Sequence, residues 1–392
     1  LRLNPQNTGY LASKQLHSAG IQVGGVVAVV AAGTGFESAR AVADAVLYEG
    51  YLLYPYRRSS GKNRVRWQFG VLAPRPWLEA TGSAGATDTC VAGSADAWHQ
   101  QTECLAQATD KATVEVRLRF LQLQQRSVEV PNQDGSFQAV DALDVDGQRH
   151  LTFDEAVPKK FDVVAALREL QRAPHTVEIT APGGEDVELL RGGAAGRVVR
   201  RRWPVAATVR LSVTTVDAPS PSPLLRLRLI TENTADSVAA GASRADALRT
   251  SLVATHSLLG VRGGSFLSLL DPPAWATRAA RDCRNVHTFP VLAGDPKSSN
   301  VMLSSPILMD YDYPKVSPES PGDLFDATEI DEILSLRTLT LTDEEKREAR
   351  ATDPRAAAII DRVDTIPQDA FERLHGVIRS LRPVTTDGNG SR

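Results

Sequence analysis

Apolar and polar positions alternate along much of this chain with the period of two expected of a strand that buries one face. Val114, Val116, Leu118 and Phe120 alternate with Glu115, Arg117 and Arg119, and the phase slips at Leu121, which predicts a bulge there. Val205, Ala207, Val209, Leu211 and Val213 alternate in the same way, and so do Leu225, Leu227 and Leu229. The run from Ala218 to Pro223 joins strands of matching length, so it reads as a hairpin loop rather than a linker. Asp146-Gly147 predicts a hairpin between 137–143 and 150–153. Pro182-Gly183-Gly184 predicts another between 175–181 and 187–190, and turn residues at 59–63 a further one over 51–72. Residues 80–98 are rich in Gly, Ala, Ser and Thr and read as a mobile loop.

Helical spacing is confined to a few places. Val42 and Val46 share one face of a helix over 37–49, stopped by Gly50. A short helix is expected after Pro158, ending near Leu170. A longer one is expected from Ser243 as N-cap to Leu259, with Leu248, Leu252, His256 and Leu259 as its buried stripe and Gly260 as its stop. Residues 265–270 then read as a buried strand. Thr342 to Glu345 forms a capping box, Asp353-Pro354 opens a second C-terminal helix, and a last helix runs from near Pro367 to before Pro383.

These elements predict an α+β fold: an antiparallel β-sandwich-like core with flanking helices and a helical C-terminal region. The expected organisation is a low-information leader (1–36), a β-rich globular domain (37–340) with a possible division into two subdomains near 218–240, C-terminal helices (341–384) and a polar tail (385–392). The apolar run at 23–32 is read as a buried strand or part of the leader. It makes a poor signal-peptide core because the preceding segment is long and carries full positive charges only at Arg2 and Lys14.

Composition narrows the function classes. Hydrophobic residues make up 42% of 392 positions, enough for a buried core, and the formal net charge of -3 argues against a dedicated nucleic-acid binder. No run approaches the ~18 apolar residues of a membrane span. Three cysteines, Cys90, Cys104 and Cys283, are too few for a disulfide framework and point to a reducing compartment. P-loop, HExxH and GxSxG signatures are all missing.

Three constellations carry candidate chemistry. Cys104, Cys283 and His287 offer two thiols and an imidazole, the donor set of a transition-metal or redox site if they converge; buried core thiols are the simpler reading. Arg57, Arg58, Arg64 and Arg66 form a basic cluster suited to an acidic protein partner. Asp310 to Glu332 holds eight carboxylates, among them Asp310, Asp312 and Asp323, and one lysine. With its prolines it reads as an exposed strap for docking, or as a weak divalent-cation site. His256 reads as a core histidine, and Cys90 and His99 belong to the loop.

Five segments together resemble a family of bacterial, notably actinobacterial, proteins encoded within [NiFe]-hydrogenase gene clusters. They are EGYLLYPYRRSSGKNRVRWQFGVLAPR at 49–75, QTECL at 101–105, GGSFLSLLDPP at 263–273, CRNVHTFPVLAG at 283–294, and the block from SSPILMDYDYP to AAIIDRV at 304–363. Relatives carry a His-Pro near Tyr313-Pro314 and a glycine near His287, where this chain departs from them. The resemblance implies a cytoplasmic accessory, assembly or interaction protein whose partner is a hydrogenase subunit or maturation factor. No cofactor is expected on this reading. The alternatives are a metal- or thiol-dependent redox protein using Cys104, Cys283 and His287, and a metal-dependent hydrolase built on Asp310, Asp312 and nearby acids.

Overall fold

The computed structural model describes residues 35–48, 69–81, 96–220, 222–236, 241–315, 341–352 and five single positions between 357 and 365. The leader, most of the 51–72 hairpin with its arginines, the loop at 82–95, the strap beyond 315 and the last helix lie outside these residues. The described residues belong to one compact unit.

Strands dominate it. In chain order they are β1 (His99–Pro131), β2 (Phe137–Val140), β3 (Ala142–Val145), β4 (Gln148–Leu151), β5 (Phe153–Ala166), β6 (His175–Ala181) and β7 (Gly184–Leu190). They continue as β8 (Gly196–Arg202), β9 (Val205–Val216), β10 (Leu224–Asn233), β11 (Val253–Phe266), β12 (Phe289–Ala293) and β13 (Val301–Ser305). The helices are short: α1 (Arg40–Tyr48), α2 (Arg75–Ala80), α3 (Leu167–Leu170), α4 (Arg244–Leu248), α5 (Thr277–Arg281) and α6 (Asp343–Thr352). The fold is mainly β, with a few helices packed on its surface. No helix among the described residues is long and apolar enough to cross a membrane.

Eleven strands form one antiparallel sheet organised on β1, and β3 and β4 form a separate hairpin. Along one edge β1 pairs with β10, then β5, then β2; along the other it pairs with β11, then β8. The predicted alternation holds. Val114, Val116, Leu118 and Phe120 are buried, and they share one core with Val209, Leu211, Leu227, Leu229, Leu259 and Met302. The register against β11 shifts between Arg119 and Leu121, where a bulge was expected. From Phe120 to Leu123 both faces are covered, so alternation ends there.

β9 and β10 pair as the expected hairpin, and Asp146-Gly147 closes β3 against β4, but 137–140, expected in that second hairpin, form β2 and pair with β1 instead. In several places the local reading gives way. Residues 153–166 are strand β5, with only α3 after it, because they lie along β1 from Thr113 to Arg126. β6 and β7 flank Pro182-Gly183 but do not pair with one another; β6 pairs with β9 and β7 with β8. The helix expected over 243–259 stops at Leu248. Ser243 does cap it, accepting from the Asp246 N–H, but residues 253–266 form β11. That strand is buried on both faces from Val253 to Val261 because α1 covers one and the main core the other. Leu258 packs with Val42, Ala43 and Val46, while Leu259 and Val261 point inward. A strand buried on both sides loses its period of two and imitates a helical stripe. β11 ends at Phe266, so the strand expected over 265–270 is mostly loop, and Leu270 is exposed.

α1 forms where Val42 and Val46 predicted it, and both are buried. The Thr342 capping box is present: the Thr342 N–H donates to Glu345 Oε2 at 2.7 Å and the Glu345 N–H to Thr342 Oγ1 at 3.3 Å.

Candidate functional site

Residues 99–105 and 283–289, far apart in the chain, meet side by side. Gln101 and Val286 form an antiparallel bridge, exchanging N–H···O bonds of 3.0 and 2.9 Å, and Gln101 Nε2 donates to the Arg284 carbonyl at 3.0 Å. Glu103 fastens this seam. Its side chain is 1% exposed and lies beneath Arg226 and Arg228 of β10. Arg228 Nε donates to Oε1 at 2.6 Å and the Arg284 N–H to Oε2 at 2.8 Å, with Arg226 Nε 4.0 Å from Oε2. The Glu103 N–H donates to Asn285 Oδ1 at 2.7 Å. A buried carboxylate is tolerable only when its charge is matched and its lone pairs are filled, and both conditions hold here.

Cys104 is a fully buried member of the main core. Successive strand residues point to opposite faces. Leu105 therefore faces the other way, where it packs in a separate cluster with Ala279 and Cys283. Cys283 helps to raise the Cys104 thiol, but the two belong to different apolar clusters. Burial pushes the Cys104 thiol far above its ordinary range. Burial also pushes the Cys283 thiol up to about 11, opposed by Arg226. Both are protonated near neutral pH, the inert form of a cysteine.

His287 does not turn toward them. Its ring meets His99 edge to face, with centroids 6.1 Å apart, and its backbone is left-handed at φ 56°. Burial lowers both imidazoles, and each is neutral near pH 7. His99 is thus not a loop residue but the first residue of β1, with Trp98 tilted against it at 4.1 Å and the Arg75 guanidinium 4.7 Å from the Trp98 ring. Among the described residues, no group of three or more His, Cys, Asp or Glu side chains converges as a metal site.

His256 is buried, on a strand rather than a helix. Its Nδ1 lies 2.8 Å from the Ala254 carbonyl and its Nε2 has no protein partner.

Asp312 is a structural group. Its Oδ1 accepts the Leu292 N–H at 2.8 Å, and its Oδ2 accepts the Ser268 hydroxyl. The Tyr313 N–H donates to the Leu292 carbonyl at 2.7 Å, and the Tyr313 and Ser299 hydroxyls are 2.7 Å apart. The loop is held at Asp312 and Tyr313, while Asp310 is exposed and Leu308 and Tyr311 are 60% and 51% exposed. Leu270, 47% exposed, sits on the adjoining loop that Ser268 ties to Asp312. Arg57, Arg58, Arg64, Arg66 and Asp323 lie outside the described residues.

Sequence reasoning missed the part played by Glu103 and by its arginines. Arg226 and Arg228 alternate with leucines and look like a plain solvent face; the signal was a lone acid, Glu103, directly before a buried cysteine. No protein-family model matches the chain, and no curated protein is similar to it.

Proposed function

We propose that this chain is a non-catalytic assembly or interaction protein that docks a protein partner through the loop at 307–313. The observation that carries the reading is Asp312. With both carboxylate oxygens bound to neighbouring loops, it sets Leu308, Asp310 and Tyr311 outward on a rigid base. Exposed aliphatic and tyrosyl side chains on a preorganised loop lose little entropy on binding and are typical interface anchors. The same engagement leaves Asp312 poorly suited to hold a catalytic metal. The separate burial of Cys104 and Cys283 gives the thiol-metal reading no comparable support.

The partner that fits the resemblance is a [NiFe]-hydrogenase subunit or maturation factor in the cytoplasm. We also read the curled sheet, whose two halves on either side of β1 share one core, as sandwich-like.

The test is co-purification. Tagged protein from hydrogen-oxidising cells brings down hydrogenase subunits or maturation proteins. A Leu308→Ser/Tyr311→Ala variant with unchanged circular dichroism loses them. Protein that comes down alone, or a variant that retains its partners, defeats the docking surface. Hydrogenase activity unchanged by deletion of the gene defeats the hydrogenase assignment.

A further inference from the structure

One end of the main core is polar. Gln100 and Thr231 stand directly opposite each other on β1 and β10 and are 2% and 0% exposed. Residues opposite one another in an antiparallel pair put their side chains on the same face. Here it is the face that carries Thr102 and Cys104 into the core. Thr102 reaches across to β13, where its hydroxyl lies 2.6 Å from Ser304 Oγ, and Ser304 lies 2.6 Å from Thr288 Oγ1. Ser304 in turn stands opposite Ser257 of β11, and Thr255 precedes Ser257 by two residues on the same strand. All of these side chains are 2% exposed or less.

Four oxygens of this patch have no protein partner: Gln100 Oε1, Thr231 Oγ1, Thr255 Oγ1 and Ser257 Oγ. They fall into two pairs, one on β1 and β10 and one on β11, flanking the Thr102–Ser304 bridge. Buried hydroxyl and amide oxygens are almost always bonded, and leaving one unbonded costs about 1–3 kcal/mol. Leu72 joins the chain beside both pairs: it exchanges backbone bonds with Leu252, three residues before Thr255 (2.8 and 3.1 Å), and its carbonyl accepts Asn233 Nδ2, two residues after Thr231, at 2.7 Å.

We propose that this end of the core is a binding site for ordered internal water. One molecule bridges Gln100 Oε1 and Thr231 Oγ1, and a second bridges Thr255 Oγ1 and Ser257 Oγ. The chemistry selects water. The four oxygens belong to neutral groups, which disfavours an ion, and buried waters are held by two to four such partners. The waters complete a polar belt that continues through Thr102, Ser304 and Thr288 across the three parts of the sheet. This inference is independent of the docking loop.

A crystal structure at about 1.5 Å or better tests it. Two solvent peaks at about 3 Å from the named pairs of oxygens are expected. Protein-only hydrogen bonds at all four oxygens, or no peak at either pair, overturn the proposal. Thermal unfolding of Thr231→Val and Ser257→Ala is the second measurement. Removing a hydroxyl that holds a bound water lowers Tm by about 2 °C or more in each variant. Removing an oxygen that was merely unsatisfied leaves Tm unchanged or raises it, and that result also overturns the proposal.

Discussion

Glu103 is 1% exposed, yet Arg228 above it is 49% exposed. The two partners of this ion pair are therefore unequal. Glu103→Gln keeps the shape but removes the charge that Arg228, the Arg284 N–H and the nearby Arg226 all face, and hydrogen bonds to charged groups contribute about 1.5–3 kcal/mol. We expect a loss of that order in urea unfolding. Arg228→Met is expected to cost at least as much, because it leaves a 1% exposed carboxylate with only Arg226, 4.0 Å away, and the Arg284 N–H to match its charge. A clearly smaller loss for Arg228→Met would mean that the acid's backbone contact, not the arginine, holds the seam. His256 makes a pH prediction. Burial, reinforced by Arg119, lowers its pKa from 6.5 to about 3. Its folded value lies below its unfolded one, so its contribution is complete above pH 6.5 and declines as pH falls from 6.5 toward 3, when the unfolded chain takes up the proton first. The slope approaches about 1.4 kcal/mol per pH unit. His99, His150 and His287 are lowered too and add in the same direction. His256→Gln is expected to flatten, without abolishing, the fall in stability measured by urea unfolding between pH 7 and pH 4.

β11 is the element where neighbouring residues mislead most. Leu252, His256 and Leu259 mimic a helical stripe, but Leu252 precedes the strand, and Leu252 and Leu259 are both buried in the main core while the neighbouring Leu258 is buried against α1. The pairing of β11 with β1 also constrains glycine. A Cβ on Gly264 would lie 2.6 Å from both the Ala108 Cβ and the Gln107 carbonyl oxygen, beside the register shift between Ala108 and Thr113. Gly264→Ala is expected to lower stability by about 1–3 kcal/mol, since overpacking must push the two strands apart. By contrast, Gly147 at φ 78° has nothing within 4 Å of a built Cβ. Gly147→Ala there meets only backbone strain of about 1–2 kcal/mol. Hydrogen exchange on the two variants separates the mechanisms: the Gly264 variant is expected to lose protection along β11, whereas the Gly147 variant leaves the large sheet unchanged.

The molecule as a whole is built on β1. From Thr113 to Glu129 it has a partner strand on both edges almost throughout, supplied by β5, β2, β11 and β8. Hydrogen exchange is expected to be slowest in this stretch and much faster in β7, which pairs only with β8 and whose Val187 and Leu189 are exposed. Equal protection of β1 and β7 would show that the sheet opens as a unit from its edge. Much of this plan was readable beforehand. The alternation in β1, β9 and β10, the bulge near Leu121, the β9–β10 hairpin, α1 and the Thr342 cap are local features, because side-chain direction and turn chemistry depend on residues a few positions apart. The candidate site was readable only as pieces: the QTECL and CRNVHTF segments were marked, but their meeting was not.

The amino-acid order alone thus settled which residues of β1 before Leu121, of β9 and of β10 face inward, and pointed to an antiparallel sheet. Assembly decided the rest: that 253–266 is strand, that β6 and β7 part to different neighbours, that Cys104 and Cys283 enter different clusters, and that Glu103 binds across more than a hundred residues to Arg228. These outcomes depend on burial of both faces and on closing long loops, whose cost and reward exist only when distant strands have already met.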